Sequence, residues 1–331
     1  MRAEAGLQAS DLPPRQRARH ILSFATYAGM APPPAVFREF GVSAITMAKN
    51  EEDWADVSVL SVLDFVDEVL VADHGSRDST SEVLRALAGE HPGKVRLVDV
   101  SDRDFPSAIN YMISLTRFRW ILRWHADFVA RTSGPSSIAR LVENVRLLDP
   151  LRHFCIALSG VVLDGDLEHQ FPDRRDPPEP FLYTYSPWLR YGVLRGFESL
   201  HVPWFYEKQT WPEGYYFHMR SVKSAMRVLQ KRFWAEWCNQ GKQGRPVSLE
   251  TFIAQRAMQE FGGASVEEAA ERHVVVYFQD LLPFSRELCG DYPEPLRPFL
   301  SLPPYRLVFE NGTIVGRVET PRARRVRSPS R

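Results

Sequence analysis

The sequence predicts an α/β fold built on a doubly wound, mostly parallel sheet, and three features carry that expectation. Between residues 42 and 124, four short apolar runs alternate with three segments of helical periodicity. Each apolar run but one ends in a polar cluster, where such sheets bind their ligands. A strong hairpin signal, Asn311-Gly312 between alternating apolar residues, lies near the far end of the chain.

In order, Val42 to Lys49 reads as the first strand, Trp54 to Phe65 as a helix, and Glu68 to Ala72 as the second strand. Ser79 to Glu90 is helical, with Asp78 and Ser79 placed to cap it. Lys94 to Val100 is a strand, Pro106 to Thr116 a helix, and Trp120 to Trp124 the fourth strand. Parallel neighbours joined by helices follow from this alternation. Beyond Gly134 the pattern loosens: Ser137 to Leu147 is helical, Phe154 to Leu163 is a strand, and the polar, Pro-rich stretch Asp164 to Pro180 reads as a mobile loop.

An aromatic segment from Phe181 to Phe217 serves either as core or as a stacking surface for flat ligands or sugars. Ser221 to Cys238 is an amphipathic helix with Lys223, Arg227, Lys231 and Arg232 on its basic side, which faces either solvent or a diphosphate. Ser248 to Phe261 and Val266 to His273 are further helices, and Tyr305 to Val318 is a hairpin with a type I′ turn. Five units result: an N-terminal extension (1–40), a ligand-binding α/β half (41–135), a second half with the loop (136–220), a helical region plus hairpin (221–320), and a basic tail (321–331).

Composition narrows the function. The 331 residues carry 41 Lys plus Arg against 41 Asp plus Glu, so a nucleic-acid partner, which usually needs a basic face, is not expected. Three widely spaced cysteines make neither a disulfide framework nor a thiolate zinc site. No apolar run reaches the ~20 residues that span a bilayer, and the N-terminus lacks the pattern of a secretion signal. A cytoplasmic protein is expected, with peripheral membrane contact through the Arg-rich tail as the lesser alternative.

Four motifs stand in order: Thr46-Met47-Ala48-Lys49-Asn50-Glu51, then Asp73-His74-Gly75-Ser76-Arg77-Asp78, then Asn110, then Trp124-His125-Ala126-Asp127. Together they resemble the N-terminal half of glycosyltransferase family 2, nucleotide-sugar enzymes of the GT-A fold. The resemblance covers Val42 to about Val129 and touches the rest only at His218. It implies a GT-A-like sheet, an acceptor-side segment, and transfer of a sugar from a nucleotide-diphosphate donor to the hydroxyl of a glycan, lipid-linked or small-molecule acceptor.

The resemblance also implies roles for individual residues. Ala48 lends its backbone, and Asn50, Glu51, Asp73, Gly75, Ser76 and Asn110 meet the nucleotide; a helix N-cap is the alternative for Asn50 and a turn residue for Asp73. Asp127 holds a divalent cation, Mn²⁺ or Mg²⁺, that bridges the diphosphate as the glycosidic bond breaks. The family pattern is Asp-x-Asp, and here His125 stands in the first place. If His125 and Asp127 share a strand face and both ligate, the mixed donor set favours Mn²⁺; otherwise His125 touches sugar or phosphate, or is packed. His218 is either a third ligand or a core imidazole.

An inverting transferase also needs a carboxylate base beside the acceptor hydroxyl. Asp164, Asp166, Glu198, Glu207 and Glu213 are candidates, and Glu198 sits most like the family's acceptor-side acid. Two other classes compete: a catalytically degenerate nucleotide- or sugar-binding scaffold, and a sugar nucleotidyltransferase. The second would carry a Gly-rich phosphate loop after the first strand, and Met47 to Glu51 contains no glycine.

Overall fold

The computed structural model describes residues 34–194, 197–240 and 247–320, together with positions 21, 25 and 28. Most of the N-terminal extension and all of the basic tail therefore lie outside the described residues. The first half alternates as expected: β1 (Val42–Ala48), α1 (Ala55–Leu63), β2 (Glu68–Asp73), α2 (Thr80–Glu90), β3 (Val95–Leu97), α3 (Phe105–Leu115) and β4 (Trp120–Arg123). β3 is shorter than its apolar run, and beyond it Val98 still donates to the Val71 carbonyl at 2.8 Å. Local chemistry sets the helix starts. Asp104 caps α3 by accepting from the Ser107 N–H, with Pro106 in the first turn, where its missing N–H costs nothing.

After a turn come β5 (Phe128–Ala130), α4 (Ile138–Arg146), β6 (His153–Val162), the short β7 (His169–Gln170), β8 (Glu179–Thr184), β9 (Arg190–Leu194), β10 (Phe197–His201) and β11 (Tyr206–His218). One eight-stranded sheet, in the order β3-β2-β1-β4-β8-β6-β11-β5, runs through the molecule. β1 to β4 are mutually parallel, β6 is parallel to β11, and only β8 and β5 run against their neighbours. The carboxyl ends of β1, β4 and β11 therefore share one edge, where the antiparallel β5 begins.

The aromatic segment forms β8 to β11 and is mostly core. Phe181, Tyr183, Tyr191, Phe205, Tyr206, Tyr215, Tyr216 and Phe217 are buried, while Trp204 is exposed. Phe128 is the centre of this packing, stacked on Tyr216 at 3.9 Å between ring centroids. Tyr216 reaches that position because Gly160 lies opposite it in β6; a Cβ on Gly160 would fall inside the Tyr216 ring.

The stretch Asp164 to Pro180, expected to be mobile, is tied down by buried carboxylates. Arg220 Nε and Nη2 donate to Asp164 at 3.1 and 2.8 Å, and Ser221 Oγ donates to it as well. Asp166 accepts from the Leu307 N–H at 3.0 Å and lies 2.7 Å from His169 Nδ1. A buried acid must be fully partnered, and those partners fix its backbone. β7 also pairs with β12 (Leu282–Pro283).

α5 (Ala225–Gln240), α6 (Leu249–Phe261) and α7 (Val266–Tyr277) pack together with Leu307 and Ile314 of the final hairpin, β13 (Tyr305–Glu310) and β14 (Thr313–Glu319). Asn311 and Gly312 both have positive φ, 49° and 81°, as a type I′ turn requires. α5 begins four residues later than its sequence pattern, so Ser221 to Ser224 form a connection rather than a helical turn. That difference decides the surroundings of Lys223.

Candidate active site

The site lies at the carboxyl edge, where the antiparallel register of β5 on β11 sets Phe128 opposite His218. Met219 donates to the Asp127 carbonyl at 2.9 Å, continuing that pairing into the turn. Asp127 is 8% exposed, and its Oδ2 accepts from Lys223 Nζ at 2.6 Å and lies 3.1 Å from His218 Nε2. On its other side, His218 Nδ1 lies 2.8 Å from Asp176 Oδ2. Lys223 Nζ also donates to Glu51 Oε1 at 2.7 Å, which accepts from Arg227 Nη2 at 2.9 Å. Three acids and three bases thus converge from the turn after β1, the β4–β5 turn, the 164–180 stretch, the end of β11, the connection after it and the start of α5.

Burial works against every charge here, and the partners overcome it. Desolvation would raise the Asp127 carboxyl, but the Lys223 ammonium and the His218 imidazole hold it well below the usual carboxylate range. Desolvation would lower His218 and Lys223, yet Asp127 with Asp176 in one case and Asp127 with Glu51 in the other raise both.

His125 is placed differently from the expectation. β4 ends at Arg123, so His125 and Asp127 belong to a turn and do not share a strand face. The His125 ring stacks on Phe128, 4.6 Å between centroids, and meets Phe181 edge-on. Burial, aided by the Arg123 charge, pushes its pKa well below the ordinary imidazole value. Its Nε2 is buried without a hydrogen-bond partner among the described residues.

This donor set does not fit a divalent cation. One oxygen of Asp127 is shared by an ammonium and an imidazole, and both nitrogens of that imidazole are engaged by carboxylates. No group of three or more His, Cys, Asp or Glu side chains placed to hold a metal ion occurs among the described residues.

The residues expected at the nucleotide are zipped to one another. Asn50, at φ 53°, donates its N–H to Ser76 Oγ at 2.8 Å and accepts from the Arg77 N–H at 2.7 Å. Asp73 accepts from the N–H and hydroxyl of Ser76 across the turn that Gly75 opens at φ 78°. The Ala48 carbonyl accepts from His74 N–H at 2.9 Å, and the Glu51 N–H donates to Thr80 Oγ1 at 2.7 Å. Asn50 is therefore not a helix N-cap, and Asp78, expected as a cap, accepts from the Thr80 N–H at 3.0 Å. Asn110 sits apart: its amide donates to the Tyr191 carbonyl and accepts from the Tyr191 N–H, both at 2.8 Å, clamping β9 to α3.

A cleft of about 210 Å³ opens between these groups, lined by the apolar Met47, Ile109 and Met112 and by the polar Lys49, Glu51, Arg123, His125, Asp127 and Arg227. A larger hollow of about 740 Å³ lies beyond Asn50, against α1, α2 and the C-terminal residues, and includes neither Asp127 nor His218. Glu198 does not line this cleft, but its carboxylate is gripped by Arg123, which does, at 2.6 and 2.9 Å. Burial raises the Glu198 pKa despite that guanidinium. The other candidate bases have structural partners: Asp164 and Asp166 as above, Glu207 with Arg152, and Glu213 with the Tyr215 hydroxyl.

Sequence reasoning missed Asp176 and Arg123. Asp176 lay in the stretch taken for a loose loop, and Arg123 inside a strand. Lys223 and Arg227 were read as one side of a helix facing either solvent or a diphosphate, and the signal for the first was its place between β11 and the helix proper. Lys231 bonds the Arg220 carbonyl and Arg232 pairs with Glu260, so neither joins the cluster through a hydrogen bond.

An α/β sheet with a charged cleft at its carboxyl edge defines a class of ligand-binding proteins. Residues 43–146, the portion that carries the four motifs, match the model of glycosyl transferase family 2, the family that those motifs resemble. His218, Lys223 and Arg227 fall outside the matched portion. No curated protein matches the chain.

Among solved structures the chain is similar to S. aureus TarS, at 13% identity over 66% of this chain and 43% of that one, with a TM-score of 0.36. The chain therefore spans less than half the length of TarS. A structure of TarS 1–349 in complex with UDP-GlcNAc gives 13% identity, 66% and 73% coverage and a TM-score of 0.36. Glucosyl-3-phosphoglycerate synthase from Mycobacterium tuberculosis, in complex with phosphoglyceric acid, gives 18%, 47% and 50%, and 0.27. Among the described residues no helix is long and apolar enough to cross a membrane.

Proposed function

We propose that the protein transfers a sugar from a nucleotide-diphosphate donor to an acceptor hydroxyl. The observation that carries this reading is the convergence of Glu51, Asp127 and Arg227 on one cleft, with Lys223 bonded to both carboxylates behind them, at the carboxyl edge of a sheet whose first half matches a glycosyltransferase family. A nucleotide diphosphate is a concentrated anion, and its departure needs positive charge beside it.

In this reading the turns after β1 and β2, with Ala48, Asn50, Asp73, Gly75 and Ser76, shape the nucleoside end of the site. Asn110 supports the site from behind by fixing Tyr191. The acceptor oxygen forms its bond to the anomeric carbon as the bond from that carbon to the phosphate oxygen breaks, and the electron pair leaves with the diphosphate. Glu198 takes the acceptor proton: burial raises its proton affinity, and Arg123 orients it. The acceptor is a glycan, a lipid-linked sugar or a small molecule, and the protein acts in the cytoplasm or at a membrane surface.

Isothermal titration with UDP, GDP and TDP tests the reading. Micromolar binding of one of them names the donor class. Failure of all three, with and without Mn²⁺, would overturn the transferase reading and leave a scaffold that keeps the fold.

A further inference from the structure

We infer that the Lys223 ammonium, backed by the Arg227 guanidinium, holds the cation position of this site permanently, so that the nucleotide diphosphate is neutralised by side chains and binds without a divalent metal. The inference rests on the transferase reading for its ligand and on geometry for everything else.

Lys223 Nζ lies between two carboxylates from separate parts of the sheet edge, 2.6 Å from Asp127 Oδ2 and 2.7 Å from Glu51 Oε1. The ammonium therefore fills the space beside Asp127 Oδ2 that a cation bound to that oxygen would need. The side chain is 6% exposed, and its backbone has little freedom to withdraw. Trp54 Nε1 donates to the Val222 carbonyl at 2.6 Å, Val222 is fully buried, and Ser221 donates to the buried Asp164. A metal at Asp127 would have to expel an ammonium that is bonded twice and anchored on the residues before it.

The remaining donors do not compensate for such an exchange. His218 has both ring nitrogens committed to Asp127 and Asp176, and His125, whose ring stacks on Phe128, offers a single nitrogen, Nε2, without a partner among the described residues. The cationic side, in contrast, has capacity left. An ammonium has three N–H donors, of which Lys223 spends two, and Arg227 Nε is buried with no partner among the described residues. Arg227 also lines the cleft. An unspent guanidinium donor beside a buried ammonium is chemistry suited to phosphate oxygens.

The test has two parts. Mn²⁺ alone, titrated into the full chain and followed by electron paramagnetic resonance, is expected to show no tight site. A tight site lost in Asp127→Asn would overturn the inference whatever nucleotides do. Titration with UDP, GDP and TDP is then run in EDTA and in Mn²⁺. The nucleotide that binds is expected to do so equally in both, and Arg227→Met, at a partly exposed position, is expected to weaken it about tenfold or more in both. Because Lys223→Met alone strands a buried carboxylate, the paired change Lys223→Met with Asp127→Asn is the second variant, with the same loss expected.

Binding that requires Mn²⁺, or binding untouched by both variants, overturns the inference and leaves the transferase reading standing. Binding of no nucleotide under either condition overturns the two together.

Discussion

His218 Nε2 lies 3.1 Å from Asp127 Oδ2, a contact between residues 91 positions apart that the register of β5 on β11 brings together. Lys223 reaches the same oxygen from the connection that follows β11. Both hydrogen-bonded partners of the acid thus come from the chain segment that closes the sheet, and the stability of the edge depends on that charge being present.

Replacing Asp127 with Asn tests this dependence. The change leaves Lys223 and His218 buried beside a neutral amide, and breaking a buried pair in this way costs about 3–5 kcal/mol. Urea unfolding should show that loss, and Asp127→Asn with Lys223→Met should recover a large part of it. A single variant as stable as the parent would mean that the pair is not buried in solution.

Glu198→Gln separates chemistry from binding. The amide keeps the shape and one acceptor for Arg123 but cannot take a proton, so turnover should fall by about 10²–10⁴ while the nucleotide affinity stays within about twofold. Equal loss in both quantities would place Glu198 in the scaffold that holds Arg123 and remove it as the base.

The first half of the fold was legible because each strand and helix there is a local pattern, such as the apolar run of Val69 to Ala72, and the Asn311-Gly312 turn of the final hairpin was legible for the same reason. Asp127 and His218, singled out in the sequence through the family resemblance, are brought together by the register of β5 on β11. Lys223 and Asp176 were not assigned to the site, because their roles arise only from tertiary placement. Nothing near Asp176 in the sequence reveals that its loop is pinned through Asp164 and Asp166, and helical periodicity from Ser221 onward hides that the helix starts at Ala225. His125 misled for a related reason: two residues on a continuous strand share a face, but the strand had already ended.

Gly160 gives a stability test remote from any charge. Its missing Cβ leaves room for the Tyr216 ring, which stacks on Phe128 immediately after Asp127. Gly160→Ala should lower stability by about 1–3 kcal/mol through overpacking. A paired Gly160→Ala and Tyr216→Leu variant, which removes the clash, should lose less than the two single losses summed; strict additivity would sink the explanation.

Acid should weaken the fold before it affects most carboxylates. Burial, with Arg119 adding to it, pulls His153 down to about 4, and burial with Arg232 does the same to His273. His125 is displaced in the same direction. An unfolded chain protonates these imidazoles near pH 6.5, so between about 6.5 and 4 it binds protons that the folded chain refuses, and stability falls as pH falls through that window. Each such group contributes up to about 3 kcal/mol of that loss. His218 has the opposite sign: its raised pKa stabilises the fold at low pH, and that contribution is lost as pH rises above its ordinary value. Urea midpoints measured from pH 7.5 to 4.5 should therefore fall on the acid side, and His153→Phe, which removes one titrating group from a site packed on Phe205 and Tyr206, should flatten the slope. An unchanged slope in that variant would mean that His153 is protonated in the folded protein, with a partner for its orphaned Nε2.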